Sequence, residues 1–352
     1  MYKLSICIPT YNRCNYLANC LHSIAANTNY SKEDIQICIS DNCSTDETEV
    51  VVRHAQEKID IVYSKNERNI GLSGNFINVV NMADGEYVWI IGDDDLLLSK
   101  TLQEINEIID QNNGVDYFYI NSFHLQSEFV FSYPQPFDIN NIPKNMKKFS
   151  SWEKKGQLPF LDLINPKISF DFLGGMFLSV FRRRMWVENI DKLNMESVHD
   201  GIVFSHFDNT FPHVKIFANA FCNSQAYFHP TPLSICLSGA REWAPMYPFI
   251  RSIRLIEALD EYRKNGLSYW TYVRCKNYAL RYFIPDILYI LVYRKESGYK
   301  YLQPIKLLTN VFYPEFYLSF FRFVVKWRNI KTVFNLISSR NKNSPIQSPE
   351  KQ

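Results

Sequence analysis

Over its first 122 residues the chain alternates short apolar runs, rich in β-branched side chains, with stretches whose apolar positions recur every three or four residues. That alternation predicts βαβ units and a mostly parallel sheet flanked by helices. The runs predict strands at Leu4–Ile8, Ile35–Ser40, Ile59–Ser64, Tyr87–Ile91 and Tyr117–Asn121. The helical periods predict helices near Asn15–Ala26, Thr45–Lys58, Gly74–Met82 and Thr101–Asn112. Ser44 and Glu47 have the spacing of a capping box for the second helix. In sheets of this kind ligands sit at the carboxyl ends of the strands. The loops after Ile8, Ser40, Ser64 and Ile91 are therefore the candidate site.

Those loops read Pro9-Thr10-Tyr11-Asn12-Arg13, Asp41-Asn42-Cys43-Ser44, Asn66-Glu67-Arg68-Asn69-Ile70-Gly71 and Gly92-Asp93-Asp94-Asp95. Two carboxylates about 5 Å apart repel by about 3 kcal/mol at an effective dielectric near 20, so three in a row between apolar runs call for a counter-charge. A solvated turn would need one acid to cap a helix, whereas a hard divalent cation takes several carboxylate oxygens together with substrate phosphates. Neither the G-x-G-x-x-G turn of dinucleotide folds nor the G-x-x-x-x-G-K-[ST] phosphate loop is present. Without a glycine cradle, a diphosphate bound here would need a cation.

In order and spacing these segments resemble the GT-A glycosyltransferases of family 2. The matching residues are Ser5 to Arg13, Ile39 to Asp46, Asn69-Ile70-Gly71 with Asn75, and Asp84 to Asp95. The resemblance implies a nucleotide-sugar donor, Mg2+ or Mn2+, and transfer of a sugar to a hydroxyl by inverting displacement. It places Thr10, Tyr11 and Arg13 against the nucleotide and Asp41 on its base or ribose, with Asn69 a weaker donor contact that could equally shape a turn. The family's usual D-x-D-D arrangement has Gly92 in the place of its first acid, which leaves two registers open. In one, Asp93 faces the ribose and Asp95 the metal; in the other, Asp94 and Asp95 face the diphosphate. Asp95 is the metal ligand in both. Gly92-Asp93-Asp94-Asp95 and Phe211-Pro212-His213-Val214 look like the subgroup that includes abequosyltransferase-like enzymes.

Further along, Phe172 to Arg184 resembles the family's acceptor-side strand, with Gly174 and Gly175 permitting close approach of a ligand. A hydroxyl attacking an anomeric carbon must lose its proton, and a positioned carboxylate commonly takes it. The family's acidic pair is missing at the expected place. Asp208, ahead of the helix-like Pro212–Phe221, is the first candidate base and Asp200 the second. His213 is assigned to structure or acceptor contact, and Arg241 and Trp243 to a segment that flanks the donor diphosphate and the acceptor sugar.

From Leu267 to Lys342 the chain carries thirteen Lys and Arg against three acids, interleaved with aromatics such as Phe316 to Trp327. Basic, aromatic, amphipathic helices suit an anionic membrane interface better than nucleic acid. A lipid-linked glycan acceptor would explain such docking. No apolar run approaches the length of a membrane span, the N-terminal apolar segment is too short for a signal peptide, and the eight cysteines form no C-x-x-C pair. These features point to a cytoplasmic protein, peripheral at the inner face of the membrane. The expected divisions are 1–122 (donor half), 123–245 (acceptor half), 246–340 (basic, aromatic helical extension) and 341–352 (disordered tail). The competing readings are a sugar-phosphate nucleotidyltransferase and a catalytically inactive GT-A scaffold on a membrane.

Overall fold

A computed structural model describes residues 2–239 and 243–325. Ten strands form one sheet: β1 (Leu4–Thr10), β2 (Ile35–Asp41), β3 (Ile61–Lys65), β4 (Tyr87–Ile90), β5 (Asp95–Leu97), β6 (Tyr117–Gln126), β7 (Lys147–Lys148), β8 (Gly156–Pro159), β9 (Ser179–Arg182) and β10 (Gln225–Ser238). The order is β3-β2-β1-β4-β9-β6-β10-β5, with β7 also on β6 and β8 also on β10. The first four strands are parallel, as their alternation with helices requires. Beyond β4 the sheet is mixed, because β9 runs antiparallel to both β4 and β6 while β10 runs parallel to β6.

Helices α1 (Cys14–Ala25), α2 (Thr48–Gln56), α3 (Leu72–Asn81) and α4 (Thr101–Gln111) join the parallel strands. α1 buries Leu17, Cys20, Leu21 and Ile24, one stripe at helical spacing. That stripe and the Leu102, Ile105 and Ile109 face of α4 cover one side of the sheet, against Ile6, Ile8, Ile37, Ile39 and Trp89. On the other side, Cys7, Cys38, Val88 and Ile90 meet Val79 and Val80 of α3 and Val214 and Phe217 of the helix Pro212–Ala220. The same core continues into Leu255, Leu259, Tyr262, Cys275, Leu280 and Phe283. The first helices of the extension are thus packed onto the sheet and do not hang from it. β6 spans residue 122, so one sheet runs through both expected halves.

The capping box is not formed. The Ser44 hydroxyl accepts from the Asn12 N–H at 2.8 Å, and Asp46 takes the Thr48 N–H instead. Asn12, with φ of +52°, returns the contact by accepting from the Thr45 N–H at 2.7 Å. Ser44 therefore ties two strand-end loops together in place of capping a helix. All eight cysteines are free. Among the described residues no helix is long and apolar enough to cross a membrane. The tail 341–352 and the last part of the extension lie outside the described residues.

Candidate active site

The ends of β1, β2, β3 and β4 bring the four loops to one edge. Asp93, Asp94 and Asp95 are all buried there, at 5%, 6% and 2% exposure. Thr10, the last residue of β1, donates its hydroxyl to Asp93 at 2.9 Å. Arg13 reaches over from the start of α1, with Nε 3.4 Å from Asp93 and Nη2 2.9 Å from Asp94. The Tyr16 ring lies 4.5 Å below the guanidinium and fixes its plane. Burial pushes the Asp93 carboxyl up to about 7, the Arg13 charge opposes this, and the neighbouring Asp94 adds to it. Asp95 turns the other way and accepts from the Gly92 N–H at 2.6 Å.

Gly92 is required by packing. A Cβ at this position would stand 2.5 Å from an Asp94 oxygen and 3.2 Å from Asp95. No acid could be accommodated there without displacing the pair that Arg13 holds. Among the described residues no three His, Cys, Asp or Glu side chains are grouped so as to hold a metal ion by themselves, since Asp93 and Asp94 face Arg13 while Asp95 faces the Gly92 N–H. A cation here would need most of its oxygen ligands from substrate phosphates.

Asp41 is wholly buried. One of its oxygens accepts from the Ser44 N–H at 2.8 Å and the other from the Tyr63 hydroxyl at 2.7 Å. Behind it lies a network of amides: Asn75 donates to the Ser40 carbonyl at 2.9 Å and accepts from the Ser40 hydroxyl at 2.7 Å and from Asn66 at 3.1 Å. Asn78 joins Ser40 and Asn66 at 3.0 and 2.9 Å. Asn69 shapes the turn, accepting from Asn42 and from the Gly71 N–H, both at 2.8 Å. Tyr11 is 43% exposed at the mouth of the site. Tyr63, Asn66 and Asn78 were not singled out from the sequence. Their position at the end of β3 and on α3, facing the Asp41 loop, is the signal that would have found them.

The acceptor-side residues divide into a turn and a loop. Gly174 and Gly175 lie in a turn before β9, where added Cβ atoms would crowd the Asp171 carbonyl at 3.0 Å and the Phe177 ring at 3.0 Å respectively. Asp171, which sequence reasoning passed over, accepts from the Ser169 hydroxyl at 2.7 Å and the Gly175 N–H at 2.8 Å, and burial raises its pKa. His213, expected in structure or acceptor contact, is 2% exposed beneath this turn, its Nε2 stands 3.0 Å from the Gly174 carbonyl, and burial depresses its pKa to about 4. It supports the turn from inside.

Asp208 is likewise occupied. Its oxygens lie 2.7 and 3.0 Å from the Lys215 ammonium, and one accepts from the Asn194 N–H at 2.7 Å. At 6% exposure it is a buried carboxylate in an ion pair with Lys215. Asp200 is more open, with 28% of its side chain exposed. The Ser205 hydroxyl donates to it at 2.6 Å and holds its pKa low, helped by the Ile202 N–H and by His206. The residues just before it lie over the donor loops: the Val198 carbonyl is 3.8 Å from a Cβ built on Gly71, and the His199 ring 3.4 Å from one on Gly74. Ser73 of α3 donates to the Asn209 carbonyl at 2.8 Å. The donor and acceptor sides therefore meet along the segment 198–209. Trp243 packs edge-on against Phe204 at 5.3 Å, and Arg241 lies outside the described residues.

Residues 5–177 match the model described as glycosyl transferase family 2, and that span includes every donor-side loop above. This segment belongs to glycosyl transferase family 2. Over 114 residues the chain is 42% identical to an abequosyltransferase of Salmonella typhimurium, 32% of this chain and 34% of that protein. A GalNAc(5)-diNAcBac-PP-undecaprenol β-1,3-glucosyltransferase of Campylobacter jejuni is 31% identical over 189 residues, 53% of each chain. The chain thus spans about a third of the first relative's length and about half of the second's.

The fold, a mixed α/β sheet flanked by helices, is shared with two solved structures. One is Staphylococcus aureus TarS 1-349, with a TM-score of 0.53 at 17% identity over 79% of this chain and 71% of that one. The other is a mannosyltransferase of Pyrobaculum calidifontis in complex with GDP-Man and Mn2+, with a TM-score of 0.51 at 14% identity over 94% and 88%.

Proposed function

We propose that this chain transfers a sugar from a nucleotide-sugar donor to a hydroxyl of a lipid-linked glycan in the synthesis of a surface polysaccharide or O-antigen. The observation that carries the reading is the convergence of Thr10, Arg13 and three buried acids beside Asp41 at the sheet's carboxyl edge. Asp41, held by the Ser44 N–H and Tyr63, is set to accept hydrogen bonds from the base or ribose. Asp95 would hold Mg2+ or Mn2+ together with the donor phosphates, while Asp93 and Asp94 face the donor. That cation supplies neutralising charge for the departing nucleoside diphosphate. Arg13 supplies a second, planar cation beside the same phosphates.

Asp200 is the base in this scheme. The acceptor oxygen bonds to the anomeric carbon, the bond from that carbon to the diphosphate oxygen breaks, and the acceptor proton passes to the Asp200 carboxylate. Direct displacement inverts the anomeric centre. The names of the Salmonella and Campylobacter relatives support sugar transfer and, in the second, a lipid-linked acceptor.

The extension supports docking at the inner face of the membrane. Ile305, Leu308, Phe312, Phe321 and Val325 are 61–85% exposed, on a segment that also carries Lys300, Lys306 and Arg322. A soluble surface rarely leaves so many large apolar side chains in water. Co-sedimentation with phosphatidylglycerol vesicles, reduced at least tenfold in Ile305→Ser/Phe312→Ser, tests it; equal sedimentation of the variant would reject this face.

The activity test is release of nucleoside diphosphate from a panel of UDP-, GDP- and CDP-sugars, with Mn2+ and a lipid-linked disaccharide. Release of pyrophosphate from a nucleoside triphosphate and a sugar phosphate would establish the nucleotidyltransferase reading instead. Neither product would indicate an inactive scaffold, and a product with retained anomeric configuration would overturn displacement.

A further inference from the structure

The loop that carries Asp200 is held from outside the family match. Phe204 within it has φ of +62°, a conformation that strains a bulky residue and persists only where its surroundings enforce it. The enforcing group is Arg254, 5% exposed, at the end of a π-helical turn (Ile250–Arg254) in the extension. Its Nη2 donates to the Phe204 carbonyl at 3.1 Å and to the Ser205 carbonyl at 2.6 Å. Its Nη1 pairs with Glu257 at 2.5 Å, and its plane lies 4.8 Å from the Phe249 ring. Ser205, whose carbonyl is gripped in this way, uses its hydroxyl to donate to Asp200 and to accept from Asn209 at 2.8 Å.

One guanidinium nitrogen serves Glu257, and the other is given to the carbonyls of the strained residue and of the residue after it. The next hydroxyl along the chain then sets the direction of the carboxylate. Arg254 is buried and its guanidinium faces the loop carbonyls and Glu257, so its effect runs through the loop.

We propose that Arg254 is a positioning residue for sugar transfer, acting by clamping the Phe204 and Ser205 carbonyls so that the Asp200 carboxylate is presented to the acceptor hydroxyl. The proposal rests on the reading of Asp200 as the proton acceptor. A lysine at 254 can reach one carbonyl but cannot span both and Glu257. The donor loops are built on other elements and meet this segment at Val198, His199 and Asn209, not at the two clamped carbonyls.

The test uses the full chain with the best nucleotide sugar of the panel above, and measures kcat, donor KM and amide hydrogen exchange over 200–206. In Arg254→Met, kcat falls at least tenfold, donor KM stays within twofold, and exchange rises in this loop alone. Arg254→Lys recovers part of both losses, and Ser205→Ala lowers kcat while the backbone of the loop stays protected. Should Arg254→Met fail to fold, Arg254→Lys and Ser205→Ala carry the same comparison. Loop exchange at the wild-type level in the Arg254 variants, or a donor KM that rises as much as kcat falls, overturns the clamp. Undiminished kcat in Asp200→Asn overturns instead the reading of Asp200 on which it rests.

Discussion

The Arg13 guanidinium stands 2.9 Å from the Asp94 carboxylate and bridges it to Asp93, so a side chain from the first loop balances acids from the fourth. Removing that cation leaves buried carboxylates without compensation, a loss of about 3 kcal/mol or more. Arg13→Ala is therefore expected to melt several degrees lower than wild type in EDTA, and the deficit should narrow when Mn2+ is added. Thermal unfolding with and without the ion checks this. A deficit that Mn2+ leaves unchanged would mean that the acids do not receive a metal.

Gly92 has no room for a side chain. Gly92→Ala must push Asp94 away from Arg13, because the new methyl would lie 2.5 Å from its oxygen. Misplacing a binding group by about 1 Å can cost roughly a hundredfold in rate. We expect at least a tenfold loss of kcat/KM in Gly92→Ala, and a greater loss in Gly92→Asp, which adds a like charge. Steady-state kinetics decide it, and gain of activity in Gly92→Asp would contradict the packing argument.

Asp208 and Asp200 should separate cleanly. Asp208→Asn breaks a buried pair with Lys215 and should lower stability by about 3 kcal/mol. Asp200→Asn, in an open loop, should unfold within a degree or two of wild type yet lose at least a hundredfold in kcat. Denaturant titration beside turnover measurements gives both readouts. The reverse pattern would restore Asp208 as the base.

His213 makes stability pH-dependent. Its folded pKa, depressed by burial to about 4, lies below the unfolded value near 6.5, so the unfolded chain binds the proton first as pH falls. Stability from this residue is complete above pH ~6.5 and is lost progressively down to about 4, by up to about 3 kcal/mol. His229, also depressed to about 4 by burial, adds a slope of the same sign. His213→Gln, which retains a donor for the Gly174 carbonyl, should flatten the curve in that window. Urea unfolding at pH 4.5, 5.5 and 7 would show it.

The parallel half of the fold was legible because Leu4–Thr10 and Ile35–Asp41 are buried on both faces and therefore read as continuous apolar runs. Ile59 misled the start of β3, since it is buried beside the end of α2 while the strand itself begins at Ile61. β5 could not be read: Asp95–Leu97 becomes a strand only by pairing with Ser234–Cys236, far along the chain. Among the candidate site residues, the acidic run stood out by its chemistry at a strand end, whereas Arg13 and Asp41 came from the family resemblance. Tyr63, Asp171 and Arg254 did not stand out, because nothing local distinguishes a tyrosine, aspartate or arginine that acquires its partner from another element. Asp208 drew attention by its place before a helix, whereas its partner Lys215 is what explains it.

The pairing of β5 with β10 also governs how this chain can be dissected. β10 lies between β6 and β5, so the strand that opens with Asp95 is held in the sheet by residues well beyond position 177. A fragment trimmed to 5–177 would keep every donor-side loop while stripping β9 and β10 from β6 and leaving the Asp95 strand with no neighbour. Recognition and foldability thus have different borders in this protein. The shortest piece able to hold its acids in place must reach at least Ser238.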